Sequence, residues 1–436
     1  MFVEDIKNDF YNLLLGNRVL LLVHYDVDAI CTCRIIQGLF KSDNISYTLV
    51  PVGGISELKT AYEENNEEIK FVVLINCGGT IDLVDILQPE EDVVFFVLDA
   101  HKPTDVCNVY SDSQVSLLYK DSEENIPNFD DIFRDDEDED ETDKPESGQE
   151  GLEALVERRR EKRAWEERRN TLMFNYTQFS YYGKPVIVFQ SYRISLEKDL
   201  SLPLYRRWSL EAALSHAPSI APSLKTNKFP HSSIPLQQAR QSYRSMDVEL
   251  RHTLLTAIEE AAPKHKLTVP VHTTFLLHRP HCPPLAALDV VYAIMGLIEH
   301  DTIPRGEGFQ LALAALEAGA GAGTAGGEAL RAGAAAAQRA LQAVARVVHH
   351  ALSAKRIQRA GPFSYFVLQE VSTTFPGGET LRLLRAAGDD LFGAAFEQAA
   401  SKSGVSVSLD YIDTSVITLP DSQRTQFLDA LTALLA

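Results

Sequence analysis

Over the first hundred or so residues, short apolar runs alternate with segments of helical spacing. Phe2, Ile6, Phe10, Leu13 and Leu14 fall on one helical face, which predicts an opening amphipathic helix over 2–16. The uninterrupted run 19–23 predicts a buried strand, and 29–40 returns to helical spacing. A second strand is expected at 45–52, a turn at Gly53-Gly54, and a helix over 56–64. Residues 71–75 and 93–98 predict two further buried strands, with a short helix at 83–87 between them. Residues 106–110 and 115–119 read as shorter strands at an edge. Strand and helix in strict alternation, with strands apolar on both faces, predict an α/β fold built on a doubly wound parallel sheet.

The pattern then changes. From 130 to 143, ten of fourteen residues are Asp or Glu. Like charges at that density repel and bury nothing, so 125–149 is expected to be a disordered linker. Residues 152–170 predict a charged helix, with Glu157–Arg160 and Glu166–Arg169 spaced for pairing along its surface. A second α/β-like region is expected from about 186. Trp208, Leu210, Met246, Val248, Leu250, Leu254 and Ile258 mark helices, and 287–298 is an apolar helix. Residues 306–348 are rich in Ala and Gly, with a helix over 334–352. Strands are expected at 363–369 and 411–419, and a closing helix carries Phe427, Leu428, Leu431, Leu434 and Leu435 on one face. The expected divisions are an α/β domain (1–120), an acidic linker (121–150), a charged helix closing that domain (151–190), a helical middle region (191–305), and an Ala/Gly-rich helix leading into a smaller C-terminal α/β domain (306–436).

Composition narrows the partners. The net charge of −20 argues against a chain that wraps DNA by itself, because phosphate binding is driven by Lys and Arg displacing counterions. A basic stripe through Arg158, Arg159, Arg160, Arg163, Arg168 and Arg169 could still touch single-stranded nucleic acid weakly, although a solvated helix face explains it equally well. Protein partners are the better expectation. The odd number of cysteines, five, predicts free thiols in a reducing compartment, and the opening residues lack a secretory signal pattern. No apolar run is long enough to cross a bilayer, so no membrane association is expected.

Several motifs fail on context. His272, His278, His281 and Cys282 lack the paired cysteines of a structural zinc site and sit among Pro280, Pro283 and Pro284, which suggests a loop. Cys31-Thr32-Cys33 reads as packing. Gly321-Ala322-Gly323-Thr324-Ala325-Gly326 has the spacing of a dinucleotide fingerprint but follows a helical alanine pattern rather than a strand. No nucleophile elbow and no phosphate-binding loop with its Lys is present.

Three strand ends remain, bearing Asp26 and Asp28, Asn76, and Asp99 and His101. The carboxyl ends of neighbouring parallel strands converge, so these five side chains could face one crevice. Carboxylates and imidazole in a crevice suit hard divalent cations and two-metal phosphoester hydrolysis. The alternative for Asp26 or Asp28 is a helix cap.

His24-Tyr25-Asp26-Val27-Asp28, Ile75-Asn76-Cys77-Gly78 and Asp99-Ala100-His101 resemble the first three motifs of the DHH-type phosphoesterases, the RecJ exonuclease superfamily. Two departures stand out. Asn76 replaces the second-motif aspartate, and Ala100 replaces the first histidine of Asp-His-His. Two close divalent ions need several negative ligands, so a working two-metal centre is not expected. Asp26, Asp28, Asn76, Asp99 and His101 then mark vestigial ligand positions, with no cofactor. This degraded pattern, followed by the acidic run and Arg-rich helix, resembles the eukaryotic family of cell division cycle protein 45. Asn108-Val109-Tyr110, Asp131-Ile132-Phe133-Arg134-Asp135, Trp208-Ser209-Leu210 and Ala395-Phe396-Glu397-Gln398-Ala399 carry that resemblance further.

The resemblance implies a non-enzymatic nuclear protein of DNA replication. Such a protein bridges the MCM ring and the GINS complex into the replicative helicase, at origins on chromatin and at forks. The C-terminal domain would be DHHA1-like. The rival readings are a residual metal-dependent phosphoesterase and an independent binder of single-stranded DNA. Relative to the family, a long helical segment between Gly183 and Arg193 and several strands between Val371 and Leu391 are expected to be missing, as a splice form or a misjoined gene would produce.

Overall fold

The structure is a computed structural model that describes residues 2–101, 103–111, 113–118, 126–133, 163, 165–170, 173, 193–217, 234–262, 271–279, 282–300, 302–317, 325–353, 367–374, 380–387, 391–408 and 416–435. The acidic run from 134 onward, most of the 152–170 helix and residues 321–324 of the Gly-rich motif lie outside the described residues. The chain divides into two compact units. One comprises Met1–His24, Leu39–Pro185 and Phe366–Ala436; the other comprises Tyr25–Gly38 and Val186–Tyr365.

The first unit is built on a five-stranded parallel sheet of order β2-β1-β3-β4-β5. Its strands are β1 (Arg18–His24), β2 (Ser46–Val52), β3 (Phe71–Ile75), β4 (Val94–Leu98) and β5 (Val115–Leu117). Strand order reverses at β1, as in a doubly wound sheet, and the boundaries follow the apolar runs closely. Val19 to Val23 are fully buried because covering a sheet on both faces leaves no polar alternation. Leu20, Leu22, Leu74, Phe95 and Val97 form one core with Leu58 and Tyr62 of the Ile55–Asn65 helix and Leu83 and Leu87 of the Leu83–Leu87 helix. Each such side chain contributes roughly 1.5–3 kcal/mol relative to exposure.

Two expectations are corrected here. Val106–Tyr110 is a helix, not a strand: Asp105 caps it by accepting from Cys107 N at 2.8 Å, a signal its alternating apolar residues hide. Within the stretch expected to be disordered, Phe129–Ile132 is a short helix whose Ile132, 1% exposed, packs on Val106. A few apolar residues ahead of an acidic run suffice to anchor it.

The C-terminal part of this unit holds β9 (Val367–Thr374), β10 (Thr380–Ala387) and β11 (Val416–Pro420), antiparallel in the order β11-β10-β9. The Leu391–Ser403 and Arg424–Leu435 helices complete it, and Phe396, Ile417, Leu419, Phe427 and Leu431 form its core. β9 overlaps the strand expected at 363–369, whereas β10 lies where sequence predicted no strand.

In the second unit, β6 (Arg193–Leu200), β7 (Val271–Arg279) and β8 (Cys282–Ala286) form an antiparallel sheet of order β6-β7-β8. The middle region 191–305, expected to be helical, therefore contains a sheet. Its strands escaped notice because Leu196-Glu197-Lys198-Asp199 mixes charge into β6 and because Pro283-Pro284 argues against a strand unless it lies at an edge, as β8 does. The Leu210–His216, Leu236–Arg240 and Val248–Ala261 helices gather around Leu202, Tyr205, Met246 and Leu254. The Ala287–Ile298, Arg305–Ala315 and Ala325–Ser353 helices pack together through small residues. A Cβ on Gly333 would stand 2.2 Å from the Ala293 carbonyl oxygen, so the backbones touch there. Alanine and glycine are thus the contact surface of a close-packed trio, and its last helix starts nine residues earlier than spacing predicted.

Candidate functional site

In the first unit, β1, β3 and β4 are neighbours, and Val23, Ile75 and Leu98 lie in register across them. The residues that follow, His24, Asn76 and Asp99, stand at one level at the end of the sheet. Asn76 sits in the left-handed region (φ 54°), which Asn tolerates better than most residues, and its N–H donates to Leu98 O at 2.7 Å. Its side-chain oxygen lies 3.4 Å from the Ala100 N–H. The chain then turns through Gly78 and Gly79.

Asp99 is the centre of this arrangement. Its side chain is 2% exposed and accepts from Gly79 N at 2.8 Å, from His101 N at 3.0 Å and from the His101 ring Nδ1 at 2.6 Å. A Cβ on Gly79 would fall 3.0 Å from the Asp99 carboxylate, so only glycine brings that N–H so close. Burial opposes ionisation of Asp99, yet the His101 ring and the N–H donors outweigh it and hold the carboxyl below its usual range. The His24 and His101 rings meet edge to face, with centroids 6.1 Å apart. The carboxylate thus ties the 76–79 turn to the 99–101 turn.

Asp26 and Asp28 belong to the second unit. Asp26 accepts from Ala29 N at 2.7 Å and caps the Val27–Ser42 helix, the alternative left open by the sequence; Asp28 lies in its first turn. Burial pushes the Cys31 thiol up to about 11, helped by these two carboxylates. Burial raises Cys33 to about 12, in keeping with a packing role for this cysteine pair.

Of the zinc-like group, His281 lies outside the described residues, and His272 is remote from His278. His272 and His278 lie on the same strand, opposite Asp199 and Arg193, and six residues of strand separate them by about 20 Å. Pro283 and Pro284 lie within β8 where a loop was expected, and Pro280 lies outside the described residues.

Sequence reading missed one cluster in the first unit. Asp82, Asp105 and Cys107 place their donor atoms within 4.8 Å of one another. Both carboxylates are helix caps: Asp82 accepts from Asp85 N at 3.0 Å, as Asp105 does from Cys107 N. Burial and hydrogen bonding to Asp82 raise the Cys107 thiol to about 12, so it stays protonated at neutral pH. Two facing caps account for the cluster. The signal was an Asp one residue ahead of each short helix.

Among the arginines, Arg158, Arg159 and Arg160 lie outside the described residues, and Arg163 and Arg168 are exposed. Arg169 is committed inside the chain, against the expectation of an outward contact. Its Nε donates to Ile132 O at 2.9 Å, and its guanidinium stands 6.0 Å from the Trp165 ring centroid.

A second missed group lies in the second unit. Asp199, 4% exposed, accepts from Tyr205 Oη at 2.6 Å and from both terminal nitrogens of Arg206 at 2.6 and 2.9 Å. Asp289, 3% exposed, stands near Arg207 and Arg206; burial raises its carboxyl to about 6. Nothing in the local sequence marks this pairing, which joins residues ninety positions apart.

Comparison with known proteins places the chain. The CDC45 family model matches residues 19–155 and 188–307. The cell division control protein 45 homologs of Mus musculus and Homo sapiens are 32% and 30% identical to it, with all of both chains covered in each case. Those alignments extend over 570 positions, more than the 436 residues here, so gaps open on this chain's side. The crystal structure of CDC45 from Entamoeba histolytica, 16% identical, superimposes with a TM-score of 0.66 over 99% of both chains, which shows a common fold.

Proposed function

Because the chain belongs to the CDC45 family, and with it has a role in DNA replication, we propose that it acts there as a scaffold rather than as a catalyst. In this reading it joins the MCM ring to GINS within the replicative helicase, in the nucleus, at origins and forks. The MCM ring supplies the ATP hydrolysis. The acidic net charge suits protein partners better than nucleic acid, and the exposed Arg163 and Arg168 offer at most a weak, salt-sensitive contact with single-stranded DNA.

The observation that carries the proposal is the state of the strand-end positions. Asparagine at 76 supplies only a neutral oxygen, and alanine at 100 supplies no ligand. Of the three carboxylates that remain, Asp99 spends its acceptors on Gly79 and His101, and Asp26 caps a helix. A residual metal-dependent phosphoesterase would need negative ligands free to offset the charge of its ions.

The test is a pull-down of purified MCM ring and GINS by this chain, with Mn²⁺-dependent nuclease activity assayed on the same sample. Co-assembly without hydrolysis is the expected result. Hydrolysis abolished by Asp99→Ala would overturn the scaffold reading in favour of the phosphoesterase.

A further inference from the structure

The first unit carries a partly exposed aromatic shelf ahead of the acidic run. Tyr110, Phe129 and Phe133 stand together, with ring centroids 5.4 Å (Tyr110–Phe129), 6.0 Å (Tyr110–Phe133) and 5.0 Å (Phe129–Phe133) apart. The shelf is rigid from beneath. Tyr110 Oη donates to Pro127 O at 2.6 Å, Phe133 N donates to Phe129 O at 2.8 Å, and Arg169 Nε ties down Ile132 O. Ile132 is 1% exposed between Phe129 and Phe133, whereas Phe129 leaves 46% of its surface in water. Folding has buried the neighbour and left the larger, stiffer ring outside, the disposition of an interface anchor rather than of a core residue.

We propose that the Tyr110–Phe129–Phe133 shelf docks a protein segment in which one apolar or aromatic anchor residue is flanked by Lys and Arg. Charge selects this occupant. The chain leaving the shelf passes Arg134 and then runs Asp135-Asp136-Glu137-Asp138-Glu139-Asp140-Glu141. A phosphate backbone approaching Phe129 to stack its bases would be repelled by these nearby charges in the sequence. A second copy of this chain would bring the same charges against themselves. A basic segment is drawn in by them, and its anchor then gains contact area and sheds water on a ring already held in place.

The test uses the full chain and a fluorescently labelled synthetic peptide of Lys and Gly with one central Trp, its affinity read by anisotropy at low and moderate salt. A matched peptide with Ala for Trp and an oligo-dT of similar length are run beside it. Phe129→Ala is expected to weaken the Trp peptide roughly tenfold, a typical anchor loss. It should leave the Ala peptide unchanged, since the two truncations remove the same contact. Phe129→Leu should retain most of the binding, and thermal unfolding should be unaffected because the ring is half exposed. Equal affinities for the Trp and Ala peptides, or a Phe129→Ala effect below twofold, would overturn the proposal and leave only diffuse charge attraction. Tighter, Phe129-dependent binding of oligo-dT would overturn it in favour of nucleic acid.

Discussion

Asp99 in the first unit and Asp289 in the second are both withdrawn from water, yet their carboxyls are driven in opposite directions. Asp99 meets the N–H groups of Gly79 and His101 and the His101 ring, all aimed at it by two turns at the end of a rigid sheet, and its carboxyl falls below the usual range. Asp289 shares the field of Arg206 with Asp199, and burial lifts it to about 6. Fixed dipoles beside one acid stabilise its ionised form; arginines divided between two acids do not fully offset the loss of water. The parallel sheet confines its polar chemistry to strand ends, while the antiparallel unit buries a charge network within its fold.

Breaking that network should give the largest effect. Arg206→Met removes both hydrogen bonds to Asp199 and leaves a carboxylate 6% exposed without its counter-charge. The expected loss is about 3 kcal/mol, read by chemical denaturation. The double variant Asp199→Leu/Arg206→Met should regain most of it, because the penalty lies in the stranded charge. A double variant as unstable as the single one would show instead that the Arg206 guanidinium, 4.6 Å over the Tyr205 ring, carries the stability.

The pH dependence sharpens the same contrast at a smaller scale. Asp289 has a folded pKa above its unfolded value near 3.8, so the native state binds the extra proton between about pH 4 and 6. Its contribution is fully present below pH 4 and lost as pH rises through about 6, amounting to at most about 3 kcal/mol. Asp99 has the opposite sign: its contribution is present above its unfolded value and lost as pH falls through its lowered one. Unfolding free energies measured across this range should show Asp289→Asn abolishing the decline between pH 4 and 6. Asp99→Asn should abolish the loss on the acid side. A decline between pH 4 and 6 that survives Asp289→Asn would assign it to another group.

What sequence revealed follows from how each region buries its backbone. The parallel strands are covered on both faces, so β1, β3 and β4 read as apolar runs and their boundaries fall within a residue or two. Covered less completely, β6 and β7 pair Leu196, 61% exposed, with Phe275, 46% exposed, and interleave charge. Neither was predicted as a strand. The strand-end positions were legible because a short motif follows each apolar run. The work of Asp99 was not, since it depends on Gly79 approaching from another strand, and the Asp199–Arg206–Asp289 grouping depends on contacts between distant segments.

The smallest effect discriminates the meaning of glycine in the alanine-rich helices. Alanine is the better helix former by about 1 kcal/mol, so propensity alone makes either Gly306→Ala or Gly333→Ala stabilising. Gly306 has nothing within 4 Å of its would-be Cβ, and its substitution should stabilise by a few tenths of a kcal/mol up to about 1. At Gly333 the new methyl would meet the Ala293 carbonyl oxygen at 2.2 Å and Leu297 Cγ at 2.8 Å. Backbone cannot yield as a side-chain tip can, and overpacking costs about 1–3 kcal/mol, which exceeds the propensity gain. The pair should therefore move the unfolding midpoint in opposite directions. Stabilisation at both sites would mean that the Ala287–Ile298 and Ala325–Ser353 helices do not touch in solution, and that the alanine-rich stretch is a free-standing helix rather than part of a packed trio.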